Sequence, residues 1–168
     1  FGRIVKRYDI PLDAIQDLNT RYEAHKEKLN SFGPRLAGRL DSEKEFTHLL
    51  AEAEASKYIV DCMNDYINTL DDLGKFDEEK KLKILSCWIN DMKEGEYNPP
   101  HKFKDGKLGF IGHDGIYTTW TDPEVGHFYI FEAAHQHCVM PFKTKVKGKI
   151  RRSMSFNFVV EGSREDHD

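Results

Sequence analysis

The chain has 168 residues, the size of one domain that buries roughly two-thirds of its unfolded surface. Its formal charge is −4, with 39% hydrophobic and 12% aromatic residues. That composition excludes an intrinsically disordered chain, and the acidic balance argues against tight, non-specific nucleic-acid binding. Cys62, Cys87 and Cys138 form no CxxC pair and no disulfide framework, as expected in a reducing compartment. No apolar run approaches the length of a membrane span, so a soluble cytoplasmic protein without a membrane partner is expected.

In chain order, a first helix is predicted over 11–29. Leu12, Ile15, Leu18 and Tyr22 recur at helical spacing, and Pro11 suits a first turn. A Gly/Pro/Ser stretch, 31–38, ends it. Asp41 or Ser42 is a plausible N-cap for a second helix, whose stripe runs through Phe46, Leu49, Leu50, Ala53, Val60, Met63, Ile67 and Leu70 to about Gly74. A third helix is predicted from Leu82, Leu85, Trp88, Ile89 and Met92. All three stripes read as packing surfaces.

From Lys93 onward turn residues punctuate short aromatic and β-branched runs at 107–111, 116–120, 127–131, 137–142 and 151–160, which predict antiparallel strands. The reading is one domain over 1–168, with a mainly helical support region over 1–94 and a β-rich region over 95–168. Helices first and strands second imply an α+β fold with helices on one face of a sheet. The alternating Lys143, Lys145, Lys147 and Lys149, leading into Arg151 and Arg152, read as a solvated strand face.

The last run has unequal faces. Arg152, Met154, Phe156, Phe158 and Val160 point one way, and Arg151, Ser153, Ser155, Asn157 and Val159 the other. The first set must be buried. The second is wet in an ordinary sandwich and lines a cavity in a barrel or jelly roll, where its arginine needs an anionic partner. A dicarboxylate held by the guanidinium fork, with a bond from Ser153, satisfies it; spacing alone leaves both readings open. His135 and His137 fall on one strand face, and His101 follows Tyr97-Asn98-Pro99-Pro100 where helix gives way to sheet. Imidazoles on a rigid sheet suit non-haem Fe(II). His25 and Glu27 lie two apart on a helix and do not face each other. His113-Asp114 reads as a turn, and His48, His127 and His167 as surface or packing residues.

The segments Glu96-Tyr97-Asn98-Pro99-Pro100-His101, His137-Cys138-Val139-Met140-Pro141-Phe142 and Arg151-Arg152-Ser153-Met154-Ser155-Phe156-Asn157-Phe158, with Arg35-Leu36-Ala37-Gly38 upstream, resemble the 2-oxoglutarate/Fe(II)-dependent oxygenases common in marine phage and bacterial genomes. The resemblance implies a double-stranded β-helix (jelly-roll) core carrying the N-terminal helices on one face. It implies Fe(II) held by His101 and His137, and 2-oxoglutarate anchored by Arg151 and Ser153. The implied reaction hydroxylates an unidentified small-molecule or peptide substrate and releases succinate and carbon dioxide. A phage-encoded protein would work in the host cytoplasm.

One departure stands out. The family's first ligand opens an H-x-D or H-x-H motif, whereas His101 is followed by Lys102-Phe103, and Asp105 is too far along to replace the carboxylate. The chain then passes directly to a run resembling a later strand. With Phe1 in place of Met at the start, this implies a segment absent from the sequence after residue 102. The alternative is a jelly-roll small-molecule-binding protein that has lost its iron triad and does no catalysis. The third iron ligand, the substrate and the oligomeric state are not legible in the residues.

Overall fold

The structure, a computed structural model, describes residues 4–30, 43–73, 76–93, 107–112, 118–139 and 147–163. The elements are β1 (Val5–Asp9), α1 (Leu12–His25) with a 3-10 turn at Lys26–Lys28, β2 (Glu43–Glu45), α2 (Thr47–Glu52), α3 (Ala55–Asp72), β3 (Phe76–Lys93), β4 (Leu108–Ile111), β5 (Thr118–Thr121), β6 (His127–Phe131), β7 (His137–Val139) and β8 (Ile150–Ser163). Helices and antiparallel strands mix in one α+β arrangement. The strands form three ladders, ordered β1-β6, β2-β3-β8 and β5-β4-β7.

Helix α1 starts after Pro11, whose φ of −54° is already helical. Its inner face is Ala14, Leu18 and Tyr22, spaced by four residues and all buried, while Leu12 is exposed. The long second stripe is two helices. Ala53 takes an extended conformation with ψ of 150° and breaks the run, and α3 then buries Ala55, Ile59, Met63, Tyr66, Ile67 and Leu70. Each large apolar side chain on that face contributes about 1.5–3 kcal/mol by burial.

The expected cap near Asp41 and Ser42, which themselves lie outside the described residues, is corrected. Glu43–Glu45 instead pairs with β3, and the helix begins at Thr47. Its start is pinned to the sheet: the Phe46 amide donates to the Cys87 carbonyl at 2.8 Å, and the Cys87 amide donates to Thr47 Oγ1 at 3.0 Å.

The predicted third helix is wrong. Residues 76–93 are one long strand, antiparallel to β8. Ile84 faces Phe158 and Ser86 faces Asn157, so Leu85 is an extra residue with no partner across the ladder. Such a bulge shifts the alternation by one. Leu82 and Ile84 lie against the helical core before it, Cys87 and Ile89 after it. The slip puts these core residues two, three and two apart, and Leu85 at the bulge with Trp88 and Met92 on the other face fills in the three- and four-residue spacings that imitate a helical stripe. Leu85, a core residue in the helical reading, is 54% exposed.

The core lies between α1, α2 and α3 and one face of β3 and β8, with Ile130 of β6 joining it. Strand β1 had no counterpart in the sequence reading, because Val5-Lys6-Arg7-Tyr8-Asp9 has only two side chains of strand-forming type. It pairs along its full length with β6, Val5 opposite Phe131 and Asp9 opposite His127. The ladder ends at Gly126, whose φ is +90° and whose carbonyl accepts from the Ile10 amide at 2.8 Å. A Cβ there would meet the Ile10 carbonyl and Leu12 at 3.3 Å, so geometry and packing both select glycine.

Strands β4, β5, β6 and the start of β7 fall where predicted to within two residues. The basic row before β8 is not a strand face in its described part. Lys147 and Gly148 form a turn, with Gly148 at φ +83°, and the strand begins at Ile150. Lys143 and Lys145 lie outside the described residues.

Candidate functional site

Strand β8 runs beside β3 in a register that sorts their side chains into two sets. Arg152 stands opposite Asp91, Met154 opposite Ile89 and Phe156 opposite Cys87. This set faces the helices, and Met154, Phe156 and Phe158 pack on the core there. Arg151 stands opposite Met92, Ser153 opposite Asn90 and Ser155 opposite Trp88. That is the second face, because successive strand residues alternate.

Arg152 is a structural residue. Its Nε and Nη2 donate to the two carboxylate oxygens of Asp91 at 2.6 and 2.8 Å, and Nη2 also reaches Glu23 at 2.7 Å. The guanidinium lies 4.6 Å from the centre of the Tyr22 ring. Asp91 chiefly, with help from Glu23, holds it more firmly protonated than an ordinary arginine. The pairing joins β8 to β3 and to α1.

Arg151 has the opposite surroundings. Its side chain is half-buried, and burial alone pulls its pKa below the usual guanidinium value. No carboxylate among the described residues pairs with it. The second face is covered at the Arg151 end and open further along, where Asn157 is exposed. Met92, across from Arg151, is 1% exposed, and Asn90 Oδ1, across from Ser153, is buried without a hydrogen-bond partner among the described residues. A half-buried cation and two hydroxyls thus share one strand face with an amide oxygen that lacks a partner among the described residues.

His137 sits at the start of β7, opposite Phe110 of β4. Its Nδ1 lies 2.9 Å from the His135 carbonyl. A carbonyl only accepts, so Nδ1 carries the proton and, in the neutral ring, Nε2 keeps the lone pair. That tautomer is the one a metal-binding imidazole needs, with its second nitrogen anchored to backbone. The ring is also fixed by an edge-on contact with Phe131 at 4.7 Å. Its side chain is exposed, and β7 belongs to a different ladder from β8.

His135 does not share a strand face with His137, since it lies in the turn before β7. It rests against Phe110 and Phe131, and its Nδ1 is buried without a hydrogen-bond partner among the described residues. His101 and Asp105 lie outside the described residues, as does His113-Asp114. Among the described residues no group of three His, Cys, Asp or Glu side chains is placed to hold a metal. His127 takes part in a surface network, with Nε2 2.9 Å from Glu124 and Nδ1 on Asp9.

Sequence reasoning missed Asn90. Asparagine is depleted in strands, but the helical reading of the segment hid which face it occupies.

No family model matches the sequence, and no curated protein is similar to it. In structure the chain is similar to the crystal structure of a Pseudomonas putida prolyl-4-hydroxylase, with a TM-score of 0.57 and 16% identity over 92% of this chain and 90% of that one. At that identity the likeness is one of fold. No helix among the described residues is long and apolar enough to cross a membrane.

Proposed function

We propose that the protein is an Fe(II)- and 2-oxoglutarate-dependent oxygenase built on a double-stranded β-helix. The observation that carries this reading is Arg151: a half-buried guanidinium with no carboxylate partner among the described residues, two residues from Ser153 on one strand face. An unpaired, half-buried cation carries a desolvation cost, and a bound dianion offsets it. The fold likeness to a prolyl-4-hydroxylase and the ligand-ready tautomer of His137 support the same reading.

In this reading Arg151 grips the distal carboxylate of 2-oxoglutarate through two parallel N–H···O bonds, and Ser153 adds a hydroxyl bond. His137 presents Nε2 to the metal, with His101 as the second imidazole. Iron held there would let dioxygen act as the oxidant, one oxygen atom going to the substrate and the other to 2-oxoglutarate, which would leave as succinate and carbon dioxide. The protein's own share is orientation, charge neutralisation and a covered face kept from bulk water.

The test is calorimetric titration of Mn(II)-supplemented protein with 2-oxoglutarate. The wild type takes up one equivalent, and Arg151→Ala takes up none at the same concentrations. No binding by the wild type, or equal binding by the variant, overturns the proposal. Binding without succinate production by the Fe(II) form, across peptide and small-molecule substrates, identifies a binding protein that has lost catalysis.

A further inference from the structure

Phe131 closes β6, in the β1-β6 ladder, and His137 opens β7, in the β5-β4-β7 ladder. Their rings meet from these two ladders, with centres 4.7 Å apart and planes tilted by 65°. The Phe131 ring is itself braced edge-on by Phe110 at 4.9 Å and by His135 at 6.4 Å, and its backbone is paired with Val5. A turn joins the two strands, closed by the His135 amide donating to the Glu132 carbonyl at 2.8 Å. The same His135 presents its own carbonyl to His137 Nδ1 at 2.9 Å.

His137 is exposed, and a hydrogen bond from an exposed imidazole competes with water. Such a bond decides which ring nitrogen carries the proton only while the ring stays turned toward the carbonyl. The carbonyl constrains one atom of the ring. An aromatic neighbour mounted on another ladder constrains the plane, through a contact with a preferred geometry. Together the two leave the side chain little freedom to lose. A side chain ordered before binding adds affinity, because the ordering cost does not fall on the binding step.

We infer that Phe131 is a positioning residue for His137, holding the imidazole plane so that Nδ1 stays on the His135 carbonyl and Nε2 keeps its lone pair for a metal ion. The inference rests on the proposed function and adds the source of the ligand's rigidity. That source is not β7, which carries His137 at its very end, but β6. Phe131 acts only through the imidazole and touches neither metal nor substrate in this role. A leucine there fills similar space but offers the imidazole no ring to pack against.

The experiment compares wild type, Phe131→Leu, Phe131→Tyr, Phe110→Leu and His137→Ala. Imidazole nitrogen NMR of the metal-free proteins reads where the His137 proton sits, with His137→Ala assigning the signals. Calorimetric titration with Co(II) alone reads metal affinity, and thermal melts run in parallel. Wild type is expected to show one His137 tautomer, protonated at Nδ1. Phe131→Leu shows a mixture of tautomers and binds Co(II) roughly three- to ten-fold more weakly, the effect of one side chain left to be ordered on binding. Phe131→Tyr keeps the ring and restores both readings. Phe110→Leu changes a buried neighbour of Phe131; it lowers the melting temperature but leaves tautomer and affinity near wild type. An unchanged tautomer or unchanged affinity in Phe131→Leu, or equal changes in Phe110→Leu, overturns the inference and leaves the proposed function standing. If the wild type binds Co(II) no better than His137→Ala, the metal site of the proposed function falls and this inference with it.

Discussion

Arg152 and Asp91 face each other across β8 and β3 and meet through two hydrogen bonds of 2.6 and 2.8 Å. Their side chains are only 19% and 13% exposed. Removing one partner of such a pair strands the other's charge in a poorly hydrated place. Arg152→Met is expected to lower stability by about 3 kcal/mol in urea denaturation, whereas Arg152→Met with Asp91→Leu recovers at least half of that. Additive losses in the double variant would show that the two residues do not act as a pair.

The residue beside it behaves in the reverse way. Arg151 has no anion among the described residues to offset its desolvation, so Arg151→Met is expected to melt at or above the wild-type temperature when no ligand is present. With 2-oxoglutarate at a hundred times its dissociation constant the wild type gains about 2.7 kcal/mol, and the variant gains none. A ligand-free variant that melts well below wild type would mean the guanidinium is already satisfied inside the protein.

The strand assignment of 76–93 separates two leucine-sized residues. Leu85, exposed at the bulge, is expected to tolerate Leu85→Lys within about 0.5 kcal/mol. Ile89, 3% exposed in the core, is expected to lose about 2–5 kcal/mol as Ile89→Ala. In a helix both would lie on the buried stripe and both substitutions would be costly, so chemical denaturation of the two variants decides between the arrangements.

Asp65 accepts from Lys6 Nζ at 2.6 Å and from the Tyr8 hydroxyl at 2.7 Å. Lys6 first, then Tyr8, holds its carboxyl below the ordinary value of 3.8. A carboxyl whose pKa is depressed on folding stabilises fully above its unfolded value, and that share is lost as pH falls through the folded one. The carboxylate is 55% exposed, so the effect is modest and screened by salt. Asp65→Asn is therefore expected to flatten the stability profile below about pH 3.8 and leave its slope near neutrality unchanged. Identical acid limbs in the two proteins would remove Asp65 from the account.

The sequence disclosed some parts of this molecule because one local rule governed them. The alternation of 151–160 separated Arg151 from Arg152 before any coordinates, and the structure places one by carboxylates and the other away from them. Strand β6 was legible from His127 to Phe131 because aromatic and β-branched residues fill it. The bulge at Leu85 was not legible, since a one-residue slip breaks the period of two, and Leu85, Trp88 and Met92, outside the core-facing set, supply spacings of three and four. Asn90 was hidden by the same slip, because its face has meaning only once the segment is a strand. Strand β1 was missed for another reason: its place is set by partners more than a hundred residues away, not by its own composition. The predicted ligand His101 lies outside the described residues, so the half of the metal site that depends on it rests on the sequence resemblance.

The clasp between β1 and β6 also fixes an order of events. Val5 finds its partner at Phe131 and Asp9 at His127, so β1 waits, unpaired, until more than a hundred further residues have been made. Helix α1 can form meanwhile, but its strand-side anchor at Gly126 does not yet exist. Assembly that depends on contacts this distant in sequence is slow. During that wait a short, charge-rich segment, with Lys6, Arg7 and Asp9 among its five residues, is poorly suited to pairing with the wrong edge.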